Sequence, residues 1–290
     1  MRVVLAVDAS PDSRNAAQVI RQLGEPPILD VLNVVDEDAL KHAYISPTMP
    51  AGYLETYRRE VTEVAEQILH EMKTELEPLC RHIRLIADSG DAAESIILTA
   101  EESHADLVIV GQRGMTATPS FLLGGVSQKV ATYAPCSVLV VKEPMAKLER
   151  ILVAVDGSEP AHKAVEFLVR CPFKGPVQVT AVTVWPSPRS ESWGIPIGTP
   201  GRSKLQQVVE EKGQELLRKI SKECACEAYR ITTELLLGDP AFAILDAAVR
   251  CQAQVIVIGS RGMKAIKRFL LGSVSEKVLV HAPCSVLIVR

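Results

Sequence analysis

The residues that could do chemistry in this 290-residue chain gather in two short stretches. One reads Gly259-Ser260-Arg261-Gly262, then nine residues, then Gly272-Ser273-Val274-Ser275. Glycines let a backbone approach a ligand closely, and a helix opening at Gly272 would offer free N–H groups and a positive dipole end. Ser273 and Ser275 add hydroxyl donors, and Lys264, Lys267 and Arg268 lie in the intervening stretch. The combination suits an anion, above all a phosphate. The spacing alone does not separate such a site from a plain turn after a strand. It is not a P-loop, since no Gly-Lys-Ser/Thr follows the spacer, nor is it the GxGxxG of a dinucleotide fingerprint.

The other stretch is an aspartate after an apolar run: Asp156 in LVAVDGS, with a counterpart, Asp8, in VLAVDAS. A carboxylate there either coordinates a metal or caps the helix that follows. Arg113 and Arg261, inside the glycine loops, either reach a phosphate or stand in solvent. The six histidines (42, 70, 82, 104, 162, 281) form no HExxH or other metal spacing, and Cys224-Ala-Cys226 lacks redox or zinc spacing. No Ser-His-Asp or Cys-His arrangement emerges, so binding is expected ahead of efficient catalysis.

The elements that must position these residues come from a duplication. VLAVDAS (4–10) matches LVAVDGS (152–158), IVGQRGM (109–115) matches VIGSRGM (257–263), and APCSVLVV (134–141) matches APCSVLIV (282–289), all at an offset of 148 residues. Between 111–142 and 259–290, 20 of 32 positions are identical. The repeat is thus a whole domain, with expected bounds of 1–143 and 150–290, joined through KEPMAKLER. In the first copy, RVVLAV is a strand and Ser10-Pro11 opens a helix running to about Leu23. ILDVLNVV is a second strand, 53–79 a long amphipathic helix, and RHIRLIA a third strand. Asp91 with Glu94 opens a third helix, ADLVIVG is strand four, and a short helix from about Gly125 leads to the fifth strand, CSVLVVK. The second copy repeats this order, Asp239-Pro240 opening its third helix. Alternating strands and helices predict α/β architecture: two tandem doubly wound, Rossmann-like domains, each a five-stranded parallel sheet with helices on both faces.

These residues resemble the universal stress protein family. Gly259-x2-Gly262-x9-Gly272-Ser273, the VAVDGS start and the LLGSVSEKVLVHAPCSVLIV ending are similar to its nucleotide-binding members, and the likeness covers the whole chain as a tandem pair. The resemblance implies that ATP is the ligand. It implies that Gly259, Arg261, Gly262, Gly272, Ser273, Val274 and Ser275 hold triphosphate and ribose. Asp156 would sit near the nucleotide, with Mg²⁺ or Mn²⁺ as an accompanying ion, and Val184 would meet the adenine edge. The first copy departs from the pattern. Asp8, Val34, Gly111, Gly114, Gly124 and Ser127 match, but Gly125 replaces the signature Ser, and Thr116, Pro119 and Ser120 replace the three basic residues. The second copy is therefore the expected site.

A net charge of −3 and a pI near 6.1 argue against a nucleic-acid partner. No apolar run approaches the ~18–20 residues that span a bilayer, and MRVVLAVDAS lacks a signal-peptide h-region. Seven scattered cysteines point to a reduced, cytoplasmic protein. The Pro/Gly-rich segments 36–52 and 185–203 are expected to be lids or linkers. Family members commonly pair through the last strand, which implies an intramolecular pseudo-dimer of the two copies and allows a homodimer. Three functions compete. The first is an ATP-binding stress-response module. The second is a slow metal-dependent ATPase or autophosphorylating protein with Ser273 or Ser275 as acceptor. The third is a phospho-receiver using Asp8, Asp88 and Lys142.

Overall fold

A computed structural model describes residues 1–35, 53–115, 122–170, 173–185, 200–262 and 270–290. The chain divides into two compact units, Met1–Ala146 and Lys147–Arg290. In the first unit the strands are β1 (Arg2–Ala6), β2 (Ile28–Val35), β3 (His82–Ser89), β4 (Leu107–Gly111) and β5 (Ser137–Val141). Its helices are α1 (Pro11–Gln18), α2 (Tyr53–Leu76), α3 (Ala92–Glu102) and α4 (Gly125–Tyr133). The second unit carries β6 (Arg150–Ala154), β7 (Val177–Trp185), β8 (Tyr229–Leu237), β9 (Val255–Gly259) and β10 (Ser285–Val289). Its helices are α5 (Glu159–Arg170), α6 (Pro200–Glu223), α7 (Pro240–Arg250) and α8 (Ser273–His281).

Each unit is the expected doubly wound parallel sheet. The strand order is β3-β2-β1-β4-β5 in the first and β8-β7-β6-β9-β10 in the second. The chain winds outward from β1 to β3, then crosses to β4 on the other side of β1. The order reverses between β1 and β4, and between β6 and β9 in the second unit, where open α/β sheets take their ligands. The central strands have no wet face. Val3–Leu5, Leu107–Val110, Ile151–Val153 and Val255–Val257 are all buried. At about 1.5–3 kcal/mol for each fully buried aliphatic side chain, these strands anchor both ends of the switch point rigidly.

The helices bury small residues against the sheets: Ala161, Ala164, Val165 and Leu168 of α5, and Ala241, Ile244, Ala247 and Ala248 of α7. The i, i+3, i+4, i+7 spacing in α5 and the i, i+3, i+6, i+7 spacing in α7 are the helical period read as packing. Two boundaries differ from expectation. The first helix tightens to a 3₁₀ turn over Val19–Gln22. The long helix stops at Leu76 because Pro78, in the 3₁₀ turn Glu77–Leu79, has no N–H to continue the ladder.

The outer strand pairs distinguish the copies. Asp30 of β2 lies opposite Arg84 of β3, which grips its carboxylate with two bonds of 2.9 and 2.8 Å. The same sites on β7 and β8 hold Thr180 and Thr232, whose hydroxyls meet at 3.2 Å.

Candidate functional site

In both units the second glycine after strand four, Gly114 or Gly262, lies against the aspartate after strand one, Asp8 or Asp156. Asp8 follows β1, and its Oδ1 accepts the Ser10 N–H at 2.9 Å while its Oδ2 accepts the Met115 N–H at 3.1 Å. Asp156 Oδ1 accepts the Ser158 N–H at 2.9 Å. The carboxylates therefore fold back onto the turns that open α1 and α5. None of these bonds is a cap on the helix itself: the N-cap of α1 is Ser10, whose side chain accepts from the Ser13 N–H. Among the described residues no cluster of three or more His, Cys, Asp or Glu could hold a metal ion. A divalent ion at Asp156 would therefore need most of its oxygens from a bound phosphate chain, the usual arrangement for Mg²⁺.

The signature glycines also have a packing role, beside the ligand contact expected of them. A Cβ on Gly259 would stand 2.6 Å from the Pro160 carbonyl carbon and oxygen, and one on Gly111 would stand 2.7 Å from the Asp12 carbonyl carbon. The first glycine of each loop thus lets the α5 or α1 N-terminus pack directly on the strand end. Gly262 and Gly114 accommodate the aspartates, with 2.7 and 2.8 Å from a Cβ position to Oδ2 of Asp156 and Asp8. Gly272 and Gly124 pack on their own loops, 3.2 Å from Arg261 Cα and 3.0 Å from the Gln112 oxygen. Gly125 differs: a Cβ there meets nothing within 4 Å.

Ser127 and Ser275 make internal bonds. Both are 3% exposed, and both hydroxyls donate inward. Ser275 Oγ bonds the Gly259 carbonyl at 2.8 Å, and Ser127 Oγ bonds the Gln112 carbonyl at 2.7 Å. A hydroxyl has one proton to give, so in this conformation these serines fasten the helix start to the strand end instead of donating to a ligand. Ser273, by contrast, is exposed at the first position of α8.

The helix starts remain open. Gly272 and Gly124 are the N-caps of α8 and α4, and neither helix has a side-chain cap. The first intrahelical bonds are made by the N–H groups of Glu276 and Gln128, to Gly272 and Gly124. Those of Ser273, Val274 and Ser275, or of Gly125, Val126 and Ser127, precede that ladder and have no partner within the helix. In the second unit β9, Asp156, Gly262 and the α8 N-terminus therefore converge at the switch point. Val34 and Val184 are half-buried near the ends of β2 and β7, in register with Asp88 and Leu236. Lys264, Lys267, Arg268, Thr116, Pro119, Ser120, the segment 36–52 and most of 185–203 lie outside the described residues.

The Arg113 side chain is 38% exposed, its Nε lies 3.6 Å from Asp12 Oδ2, and its backbone N–H donates to the same oxygen at 3.1 Å. Arg261 is half-buried. Asp12 is the residue that sequence reasoning missed. The available signal was its counterpart at the 148-residue offset, an uncharged Pro160.

The receiver arrangement does not form. Asp88 pairs in register with Val34 on the outermost strand, so β2 separates it from Asp8. Strands about 4.8 Å apart put roughly 10 Å between the two backbones, and nearly 20 Å between β3 and the β5 strand that Lys142 follows. A cavity of about 400 Å³ opens beside Asp88, between Arg58 and Thr62 of α2 and Val35 and Ala87 of the strand ends; it includes none of the glycine-loop residues. No helix among the described residues is long and apolar enough to cross a membrane.

A doubly wound parallel α/β unit, present twice, with an aspartate-backed glycine loop at each switch point, defines a narrow class of protein. The chain belongs to the universal stress protein family, whose profile matches residues 1–142 and 147–290. Over 148 residues it is 30% identical to universal stress protein MJ0531 of Methanocaldococcus jannaschii, a match covering 49% of this chain and 82% of that protein. It is 31% identical over 146 residues to universal stress protein YxiE of Bacillus subtilis, covering 49% and 98% respectively. Each of these relatives corresponds in length to one copy. A crystal structure of a universal stress protein from Archaeoglobus fulgidus covers 100% of this chain and 96% of its own, with a TM-score of 0.67 at 22% identity, a likeness of fold.

Proposed function

We propose that this chain is an ATP-binding regulatory module of the stress response, with the second unit as its nucleotide site. The observation that carries this reading is the α8 N-terminus. Its glycine N-cap leaves the helix without a side-chain cap, and Gly262 lies against Asp156 at the topological switch point. Orphan N–H groups and a positive dipole end favour the phosphates. Ser273 adds an exposed hydroxyl, Arg261 a positive charge, and the backbone at Val184 faces the adenine edge. Asp156 completes the shell of a divalent ion carried in by the nucleotide. Among the described residues of the site none orients a general base toward a water, and nucleotide occupancy, in place of turnover, is the signal passed on in the cytoplasm.

Calorimetry with ATP and Mg²⁺, together with mass spectrometry of the freshly purified, denatured chain, tests this. About one ATP per chain is expected. Gly272→Val should abolish it, because a side chain there meets Arg261 Cα and the Ser260 oxygen at 3.2 and 3.4 Å. No binding by the unmodified chain refutes the proposal. A second reading, slow hydrolysis or self-phosphorylation, rests on the exposed Ser273 hydroxyl at the same helix start. Steady ADP release that Ser273→Ala abolishes would establish it.

A further inference from the structure

The helix that packs against each loop differs in where charge sits at its start. In the first unit α1 opens with Pro11-Asp12, whereas α5 opens with Glu159-Pro160. The Asp12 side chain leaves the backbone beside Gly111, its Cβ only 3.0 Å from where a glycine Cβ would stand. It then turns into the loop. Its Oδ2 accepts the Arg113 N–H at 3.1 Å and sits 3.6 Å from the Arg113 Nε, with the carboxylate's side chain only 19% exposed. Ser10 Oγ lies 3.3 Å from the Arg113 oxygen, so this one residue is held at both its N–H and its carbonyl from α1.

From this geometry we infer that Asp12 is a specificity-determining residue that closes the first unit's loop to a polyphosphate. Its carboxylate already takes a backbone donor and the cation of that loop, and its charge repels a second anion. The second unit has the uncharged Pro160 at the equivalent position. The inference rests on the nucleotide reading of the second unit and explains why a duplicated loop yields one site. It also separates two causes. Gly125 removes a hydroxyl but leaves open space, since a Cβ there meets nothing within 4 Å. Asp12 supplies a charge of the wrong sign. Two unit charges of like sign about 5 Å apart repel enough, at an intermediate dielectric, to change affinity by tenfold or more.

Reciprocal substitutions in the full chain test it, with MgATP as the probe and calorimetry as the readout. Pro160→Asp places the carboxylate in the second unit's loop. An acidic side chain in the first turn of α5 suits that helix, so folding is retained. Affinity should fall at least tenfold. Asp12→Asn, made on the Gly272→Val background that silences the second unit, keeps an oxygen for the Arg113 N–H but removes the charge. It should bind ATP at least tenfold more tightly than Gly272→Val alone, while Asp12→Glu on that background should not. Thermal melts confirm that each variant is folded. Pro160→Asp with unchanged affinity, or Asp12→Asn no tighter than its background, overturns the inference while the unmodified chain still binds one ATP. Two ATP per unmodified chain overturns it equally. A chain that binds no ATP in any form overturns the nucleotide reading and this inference together.

Discussion

Gly262 leaves room for Asp156 and for nothing more: a methyl group on that glycine would come within 2.7 Å of the carboxylate Oδ2. Gly114 stands to Asp8 in the same way, at 2.8 Å. The glycine signature is thus partly a device for bringing a β1-end carboxylate under a loop, and the two kinds of glycine contact have separable consequences.

Gly262→Ala pushes against the far end of a side chain, which can rotate aside. The expected result is a loss of ATP affinity of tenfold or more with little change in melting. Gly259→Ala pushes against the Pro160 backbone at 2.6 Å, which cannot yield without moving α5. Overpacking of this kind costs about 1–3 kcal/mol, read as a lower denaturation midpoint. Equal melting of the two variants would contradict this division.

The outer pair of the first sheet is a buried carboxylate held by a half-exposed guanidinium, the Asp30 side chain being 5% exposed and that of Arg84 54%. Arg84→Met leaves Asp30 without its partner and should cost about 1–3 kcal/mol, less than a fully buried pair because Arg84 is already wet. Replacing both residues with threonine, as at Thr180 and Thr232, should recover most of that loss. Urea denaturation of the three full-length variants decides it.

Asp91 caps α3 and accepts from the Glu94 N–H at 2.9 Å and from Lys129 Nζ at 3.0 Å. The Glu94 backbone bond first, and Lys129 second, hold its carboxyl below the ordinary value of 3.8. A carboxyl depressed on folding stabilises the fold at pH values above its unfolded pKa, and loses that contribution as pH falls through the folded one. Asp91→Ala should cost about 1 kcal/mol at pH 7, typical of a lost N-cap. The difference from the unmodified chain should shrink once the pH drops below 3.8. A pH-independent difference in thermal melting would count against it.

Burial pushes the Cys80 and Cys224 thiols up to about 11, whereas Cys226 is exposed. With a thiol pKa near 11, roughly one in a thousand such groups is thiolate at pH 8. Iodoacetamide at that pH, followed by peptide mass spectrometry, should label Cys226 well before Cys80 or Cys224. Comparable labelling of Cys224 in the folded chain would show that the α6 terminus opens readily.

The fold was legible because its signals are periodic and duplicated. Runs such as Leu107–Val110 have no polar partner in alternation, which forces a strand covered on both faces, and the 148-residue offset read every element twice. The site was legible as a location, because Asp8, Asp156 and the glycines fall at strand ends beside the order reversal. Its bonding was not. Whether Ser275 gives its proton to a ligand or to the Gly259 carbonyl depends on a 2.8 Å contact between residues 16 positions apart. Asp12 meets Arg113 across 101 positions, and a solvated acidic residue in a first helical turn has the same sequence.

The inward-facing Ser275 has one further consequence. A group with 3% exposure and its proton committed to the strand end is chemically silent until the turn at Gly272 comes apart. Any acyl or phosphoryl label found on Ser275 therefore records an opening event, and its rate of appearance is a clock for that excursion. Ser273, two positions earlier and always in contact with solvent, is the internal standard against which the clock runs.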